Sequence, residues 1–231
     1  MSPALCIVVP VLDEASNLAA FLGALQPLRQ RGARVVVVDG GSADDSLAIA
    51  RHLADIAFIA PQGRARQMNA GAAACRADLL LFLHADTRLP HDADVLLRRA
   101  LQGPRDWGRF DVAIDSPRPV LRVVEALMNL RSRWTGIATG DQAIFVRKHL
   151  FDQIGGFPDQ PLMEDVALST RLKRLGPPAC LCERVTTSAR RWERHGPWRT
   201  ILLMWRLRAA YFLGADPAKL ALRYGYRPPP P

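Results

Sequence analysis

Three runs of apolar residues in the first half of the chain end abruptly in acids. Leu5-Cys6-Ile7-Val8-Val9-Pro10 leads to Asp13 and Glu14, Val35-Val36-Val37-Val38 to Asp39, and Leu79-Leu80-Leu81-Phe82-Leu83 to His84-Ala85-Asp86. Uninterrupted apolar runs of this length, bounded by polar residues, read as strands buried on both faces. Between them the apolar period becomes helical. Leu18, Phe21, Leu22, Leu25 and Leu28 share one face, and Leu47, Ala50 and Leu53 share another behind Ser42 or Asp44 as a cap. A short strand over 57–60, a loop opening at Gly63, and helices over 66–75 and 93–101 continue the alternation. Successive strand–helix–strand units cross over right-handedly and predict an α/β fold, a mostly parallel central sheet flanked by helices. The acids then gather at the carboxyl edge of the sheet, where open α/β folds bind ligands.

Beyond Gly103 the pattern loosens. It predicts a strand over 109–114, a helix over 120–132, a strand over 142–146 and a turn at Gly155-Gly156-Phe157-Pro158. A helix over 164–175 turns Leu168 and Leu172 inward and carries Glu164 and Asp165 in its first turn, and another helix spans 201–213. Residues 224–231 are Pro-rich and read as frayed. No internal repeat or long linker divides the 231 residues, which suffice for one α/β domain with a substantial core.

Composition adds little, with 49% apolar and 23% charged residues as in ordinary globular proteins. The first apolar run is too short to span a membrane and lacks the layout of a signal peptide, so the expected location is the cytoplasm, with peripheral contact at the inner membrane surface as the other option. A net charge of +9 suits nucleic acid, anionic lipid or a phosphorylated small substrate. The arginines are dispersed, clustering only between Arg184 and Arg208, and no aromatic-interleaved basic repeat accompanies them, so nucleic acid is not an expected partner. The helix over 201–213, with Trp205, Tyr211 and Phe212 among arginines, could lie on anionic lipid or pack on the core. Cys6, Cys75, Cys180 and Cys182 have no metal-site spacing and read as buried or free thiols of a reducing compartment.

Six segments occur in a telling order: Val9-Pro10-Val11-Leu12-Asp13-Glu14 with Asn17; Val38-Asp39-Gly40-Gly41-Ser42 with Asp44; Gly63-Arg64-Ala65-Arg66-Gln67-Met68-Asn69-Ala70-Gly71; His84-Ala85-Asp86; Gly155-Gly156-Phe157; and Glu164-Asp165. Together they resemble the family 2 glycosyltransferases, which have the GT-A fold, and most closely their bacterial arsenosugar-biosynthesis branch. The resemblance implies a single GT-A domain over 1–231, with a nucleotide-sugar-binding half (1–102) and an acceptor-binding half (103–231) that ends in a helical tail. It implies inverting transfer of a sugar from a nucleotide-diphosphate donor to the hydroxyl of a small-molecule or lipid-linked acceptor, assisted by Mg²⁺ or Mn²⁺.

Residue by residue, the resemblance puts Pro10, Asp13, Glu14, Asp39, Gly40 and Gly41 beside the nucleoside. Arg64, at a loop–helix junction suited to anions, belongs with Ala85 and Asp141 on the diphosphate and donor-sugar side. Asp86 becomes a metal ligand. It closes what is an Asp-x-Asp motif in the family, but here His84 replaces the first acid, able to ligate Mn²⁺ or bond a ribose while adding no negative charge. His195 is a further candidate ligand. Asp165 becomes the catalytic base, with Glu164 beside it orienting the acceptor. Arg191 and Trp192 stand near an acceptor or diphosphate position, although Ser188 occupies the place of a glutamine in processive relatives. Simpler roles compete: helix capping for Asp13 or Glu14, complementing the helix dipole for Glu164 and Asp165, a turn for Asp141, packing for Trp192. Only Asp39, ending a strand, lacks an evident bland role.

Other nucleotide enzymes fit poorly. The turn Val11-Leu12-Asp13-Glu14 is acidic and glycine-free, against the Gly-x-Gly-x-x-Gly of dinucleotide binders and the Gly-rich basic loop of sugar nucleotidyltransferases. His-Ala-Asp is not the dehalogenase-type phosphatase signature, whose nucleophilic acid follows the first strand. The remaining rival is a basic membrane-surface or scaffold protein with a catalytically idle GT-A domain.

Overall fold

Alternate residues of the apolar strands face opposite ways, and each face needs its own helical cover. The computed structural model, which describes residues 4–226 apart from the side chains of Arg191 and His195, supplies both. Strands β1 (Leu5–Val11), β2 (Arg34–Asp39), β3 (Ile56–Ile59) and β4 (Leu79–Phe82) pair in parallel. Ile7, Val9, Val35, Val37, Leu79 and Leu81 point to one face, covered by α1 (Ala15–Ala24), α3 (Ser46–Leu53) and α5 (Ala93–Ala100). Val8, Val36, Val38, Leu80 and Phe82 point to the other, covered by α4 (Arg64–Ala74). The short α2 (Gln26–Gln30) follows α1.

The sheet then turns mixed. Its order is β3-β2-β1-β4-β7-β6-β8-β5, with β5 (Thr87–Arg88), β6 (Trp107–Asp115), β7 (Phe145–Arg147) and β8 (Ala179–Ser188). β7 is antiparallel to both β4 and β6, β8 is parallel to β6, and β5 is antiparallel to β8. Helix α6 (Pro119–Thr135) is fastened to β6 by polar side chains. Asn129 exchanges hydrogen bonds with both backbone groups of Val112 (2.9 and 3.0 Å), Glu125 accepts from the Ile114 amide, and Asp111 joins the fully buried Arg109 to Arg133. α7 (Lys148–Gln153) and α8 (Glu164–Leu175) complete the cover, and α9 (Arg190–His195), α10 (Pro197–Phe212) and α11 (Pro217–Tyr224) follow.

Several expectations are corrected. The strand expected over 142–146 exists but starts later, as Phe145–Arg147, because a 3₁₀ turn (Gly140–Gln142) closed by a Thr139–Gln142 capping box comes before it. β5 and β8 were not expected; one has two residues and the other mixes polar and apolar positions without clean alternation. Of the tail expected to fray over 224–231, Tyr224 instead ends α11, which buries Leu220 and Ala221, and residues 227–231 lie outside the described residues. Cys6 and Cys75 are not thiols but a disulfide. Cys6 faces the α4 side of β1, and Cys75 caps α4 with its Cα 6.1 Å away. Only Cys180 and Cys182 are free, so the cysteines no longer argue for a reducing compartment.

Candidate active site

The acidic turns after β1 and β2 are sewn to each other by their own side chains. The Asp13 amide donates to Ser42 Oγ (2.9 Å) and Asp13 Oδ1 accepts from the Ala43 amide (2.8 Å). The Glu14 amide donates to Ser46 Oγ (2.9 Å), and Asp44 accepts from the amides of Ala15 and Ser46 (both 2.9 Å). Asp39, only 1% exposed, accepts from the Gly41 and Ser42 amides (both 2.7 Å) and from Ser42 Oγ (2.6 Å). The sequence offers no such role for Asp39, and the structure supplies one: it shapes the turn in which Gly41 takes a φ of +90°. Of the roughly four lone-pair sites on a carboxylate, three are taken. The Gly40 amide is bound by Val11 O (2.9 Å), and the half-buried Pro10 sits one residue before the end of β1. Gln67 was missed as a residue of interest. Its buried amide donates to Val11 O and Val38 O (2.9 and 2.8 Å), clamping the ends of β1 and β2.

A second group of residues comes from farther apart. His84 follows β4, and its ring packs against Gly140, where an added Cβ would lie 2.5 Å from His84 Cε1. His84 Nδ1 is 3.7 Å from Asp141 Oδ1. The Gly140 amide donates to Asp165 Oδ2 and the Val166 amide to Asp165 Oδ1, both at 2.7 Å. Strand β4, the 3₁₀ turn and the head of α8 thus meet at one small pocket, lined by Met68, Phe82, Ile144 and Phe157 as well as His84, Glu164 and Asp165. Ala85 is buried in the core on the α1 side of the sheet. Asn69 holds the turn before α8 through the amide and carbonyl of Phe157 (2.9 and 2.8 Å).

Electrostatics single out Glu164. Burial against the apolar lining, then repulsion from Asp165, push its carboxyl up to about 7, against the pull of Arg64 and His84. Arg64, at the N-terminus of α4, loses solvation in the crowded cleft, but attraction to Glu164, Tyr224, Asp141 and Asp165 outweighs this and raises its pKa. Water still reaches this exposed side chain, so that attraction is screened. Two arginines were missed by sequence reasoning. Burial, then repulsion from Arg208, lowers Arg131 to about 10, and Arg208 of α10 is lowered by burial while Asp165 and Asp141 oppose the shift. Tyr224 was missed as well, although Asp216-Pro217 before it and Gly225 after it are ordinary helix start and stop signals.

Asp86 lies apart from this pocket. Arg190 reaches both Glu14 (3.3 Å) and Asp86 (3.9 Å), bridging the acids beyond β1 and β4. Arg66 pairs on the surface with Asp159 (2.8 Å), Trp192 packs beside α6, and the side chains of Arg191 and His195 lie outside the described residues. Among the described residues no three His, Cys, Asp or Glu side chains group as a cage for a metal ion. Among the described residues three non-glycine ones adopt left-handed backbone, namely Asp13, Ala143 and Met163 (φ +52°, +48° and +64°), and each adjoins one of the segments above. Such conformations cost roughly 1–3 kcal/mol apiece and concentrate where function needs a particular loop shape.

Residues 6–157 match the family described as Glycosyl transferase family 2. The chain is 31% identical over 177 residues to a PGL/p-HBAD biosynthesis glycosyltransferase of Mycobacterium bovis (strain BCG / Pasteur 1173P2), covering 68% of this chain and 64% of the relative. It thus spans less than two thirds of that relative's length. Its fold resembles S. aureus TarS 1–349 (TM-score 0.66, 15% identity, 80% of this chain and 60% of the other). It also resembles the mannosyltransferase PcManGT from Pyrobaculum calidifontis, solved with GDP-Man and Mn2+ (TM-score 0.64, 20% identity, 91% and 61%).

Proposed function

The chain belongs to glycosyl transferase family 2, and from that premise we propose that it moves a sugar, with inversion, from a nucleotide-diphosphate donor to an acceptor hydroxyl. The observation that carries this is the convergence of Glu164, Asp165, His84, Asp141 and Arg64 on one cleft at the carboxyl end of β4. In this reading residues 1–102 hold the donor and 103–231 receive the acceptor. The loops around Pro10, Asp13, Glu14, Gly40 and Gly41 enclose the nucleoside, and Asp39 keeps one acceptor site for a base or ribose donor. Arg64 faces the diphosphate, where the N-terminus of α4 adds its own attraction.

Asp165 takes the proton of the acceptor hydroxyl. As the acceptor oxygen bonds the anomeric carbon, the bond from that carbon to the diphosphate oxygen breaks, and the electron pair leaves with the nucleotide. Hydrogen bonds from the Gly140 and Val166 amides fix the direction in which Asp165 presents its oxygens. Glu164, once ionised, adds negative charge beside Asp165 and strengthens it as a proton acceptor. A divalent cation fits the donor set, because Mg²⁺ and Mn²⁺ take one or two carboxylates and complete their shell with phosphate and water. Asp86, which stands apart from His84 and Asp141, would hold it as the single carboxylate, and the ion would supply charge neutralisation on the departing diphosphate. The solved complex of PcManGT with GDP-Man and Mn2+ supports this choice of donor class. The narrower assignment to the arsenosugar-biosynthesis branch rests on the likeness of the sequence to that branch alone.

Calorimetric titration with UDP, GDP and their sugars, with and without Mn²⁺, tests the proposal. Metal-dependent binding of one nucleotide supports it and names the donor class. A folded protein that binds none contradicts it.

A further inference from the structure

Helix α6 packs Leu121 and Val124 inward but carries polar residues on the same buried side. It buries Glu125, Asn129 and Ser132 and exposes Val123, Leu127, Leu130 and Trp134, a stripe at spacings of four, three and four residues. A helix that fits only a watery exterior carries its polar residues on the outside. Here the exterior face is apolar over three turns, and Trp134 is 80% exposed. Helix α10 repeats the pattern beside it. Trp198 (71% exposed), Leu202, Trp205 (64%) and Phe212 project outward, and Leu213 follows. The two helices are neighbours, because Ile201 of α10 packs in one apolar cluster with Val120 and Val124 of α6.

Charge tells what covers this face. Residues 197–215 contain no acid, and the single acid of α6 is the buried Glu125. The exposed charges beside the stripes are basic: Arg118 just before α6, and Arg199 and Arg206 on α10, while Arg122 is paired with Glu125 (2.8 Å). Three of the five tryptophans of the chain are the exposed ones on these helices. Tryptophan and arginine around an acid-free apolar ridge match the boundary between lipid headgroups and acyl chains. A protein partner would need an equally large apolar face of its own. An anionic bilayer answers both the apolar ridge and the net charge of +9. The 16 residues of α10 fall short of the ~20 needed to span a bilayer, which suits a helix lying in the surface.

We propose that the outer faces of α6 and α10 together dock on anionic phospholipid, with the apolar stripes entering the headgroup boundary and the arginines pairing with lipid phosphate. The inference does not depend on the transfer reaction. Because Arg208, on the same helix as Trp205, reaches toward Asp165 and Asp141, docking would bring the cleft close to the bilayer.

The test is cosedimentation of the full chain with vesicles of phosphatidylcholine alone and of phosphatidylcholine mixed with phosphatidylglycerol, read together with quenching of tryptophan emission by brominated acyl chains. The expected result is binding and quenching on the phosphatidylglycerol vesicles. Trp198→Ser with Trp205→Ser, and separately Leu127→Ser with Leu130→Ser, should each weaken binding by about tenfold or more while circular dichroism and melting stay unchanged. Arg199→Glu with Arg206→Glu should abolish the preference for phosphatidylglycerol. Failure of the folded protein to bind or to be quenched overturns the proposal. So does a stable dimer that the same substitutions convert to monomer without any vesicle binding, since a second copy would then be the occupant.

Discussion

Asp39 and Glu164 are both buried carboxylates, 1% and 4% exposed, one ending β2 and the other opening α8. Three donors surround Asp39, all from the loop it opens, so its charge is compensated by the structure it holds. Glu164 lies next to Asp165 in a pocket with an apolar lining, and its pKa rises to about 7. Burial is common to both; compensation is not. A compensated buried acid stabilises a shape, whereas an uncompensated one stores a proton near neutral pH, and such groups concentrate at working sites. On the proposed function, the turns after β1 and β2 are the grip of the molecule, and the head of α8 carries the chemistry.

Substitutions can break this contrast, and the largest effect belongs to the second region. Asp165→Asn should lower turnover about 10²–10⁴-fold, the usual contribution of a positioned base. Donor hydrolysis or transfer at saturating nucleotide-sugar reads it. Full turnover would remove Asp165 from the proton transfer.

Glu164→Gln sharpens the contrast through pH. A carboxyl near 4.5 when unfolded and about 7 when folded binds its proton more tightly in the folded state. Stability therefore falls as pH rises through that window, and the penalty is complete above it. Replacing the acid should stabilise the protein by up to about 3 kcal/mol at pH 8 and by almost nothing near pH 4. Turnover in the parent should rise through pH 7 as Glu164 ionises, and the variant should lack that rise. Thermal melts and pH–rate profiles check both halves, and a variant less stable at pH 8 would show Glu164 to be compensated after all.

In the grip region, Asp39→Asn should cost about 1–3 kcal/mol, because the turn amides lose a charged acceptor. A lowered melting temperature together with weaker nucleotide binding is the expected pair of results. The smallest effect is that of Arg190→Ala. Its contacts with Glu14 and Asp86 are partly exposed, so stability should change by less than about 1 kcal/mol in denaturant titrations. A larger loss would mean that the bridge holds the two loops together.

The grip region was far more legible in the sequence than the working region. Its strands are apolar on both faces, so Val35 to Val38 or Leu79 to Leu83 could hardly be anything else, and Asp39 and Asp86 mark where each run stops. What those acids do could not be read, since the partners of Asp39 are backbone amides of its own turn. On the other side, Glu164 and Asp165 were found only by their company with other segments. His84 and Gly140 are 56 positions apart, and nothing local announces that one packs on the other. Arg131 and Arg208 lie on helices whose apolar spacing was visible, but their direction depends on tertiary packing. β8 escaped notice because its polar and apolar residues do not alternate, and α11 because the prolines after it overshadowed a clear Asp216-Pro217 start.

The most direct test of the division between grip and chemistry is nucleotide affinity, by calorimetry, measured side by side for the parent, Asp39→Asn and Asp165→Asn. The account predicts that Asp165→Asn binds nucleotide as the parent does although its turnover has collapsed, and that Asp39→Asn binds it more weakly. Parent-like affinity in Asp39→Asn together with lost affinity in Asp165→Asn would contradict it.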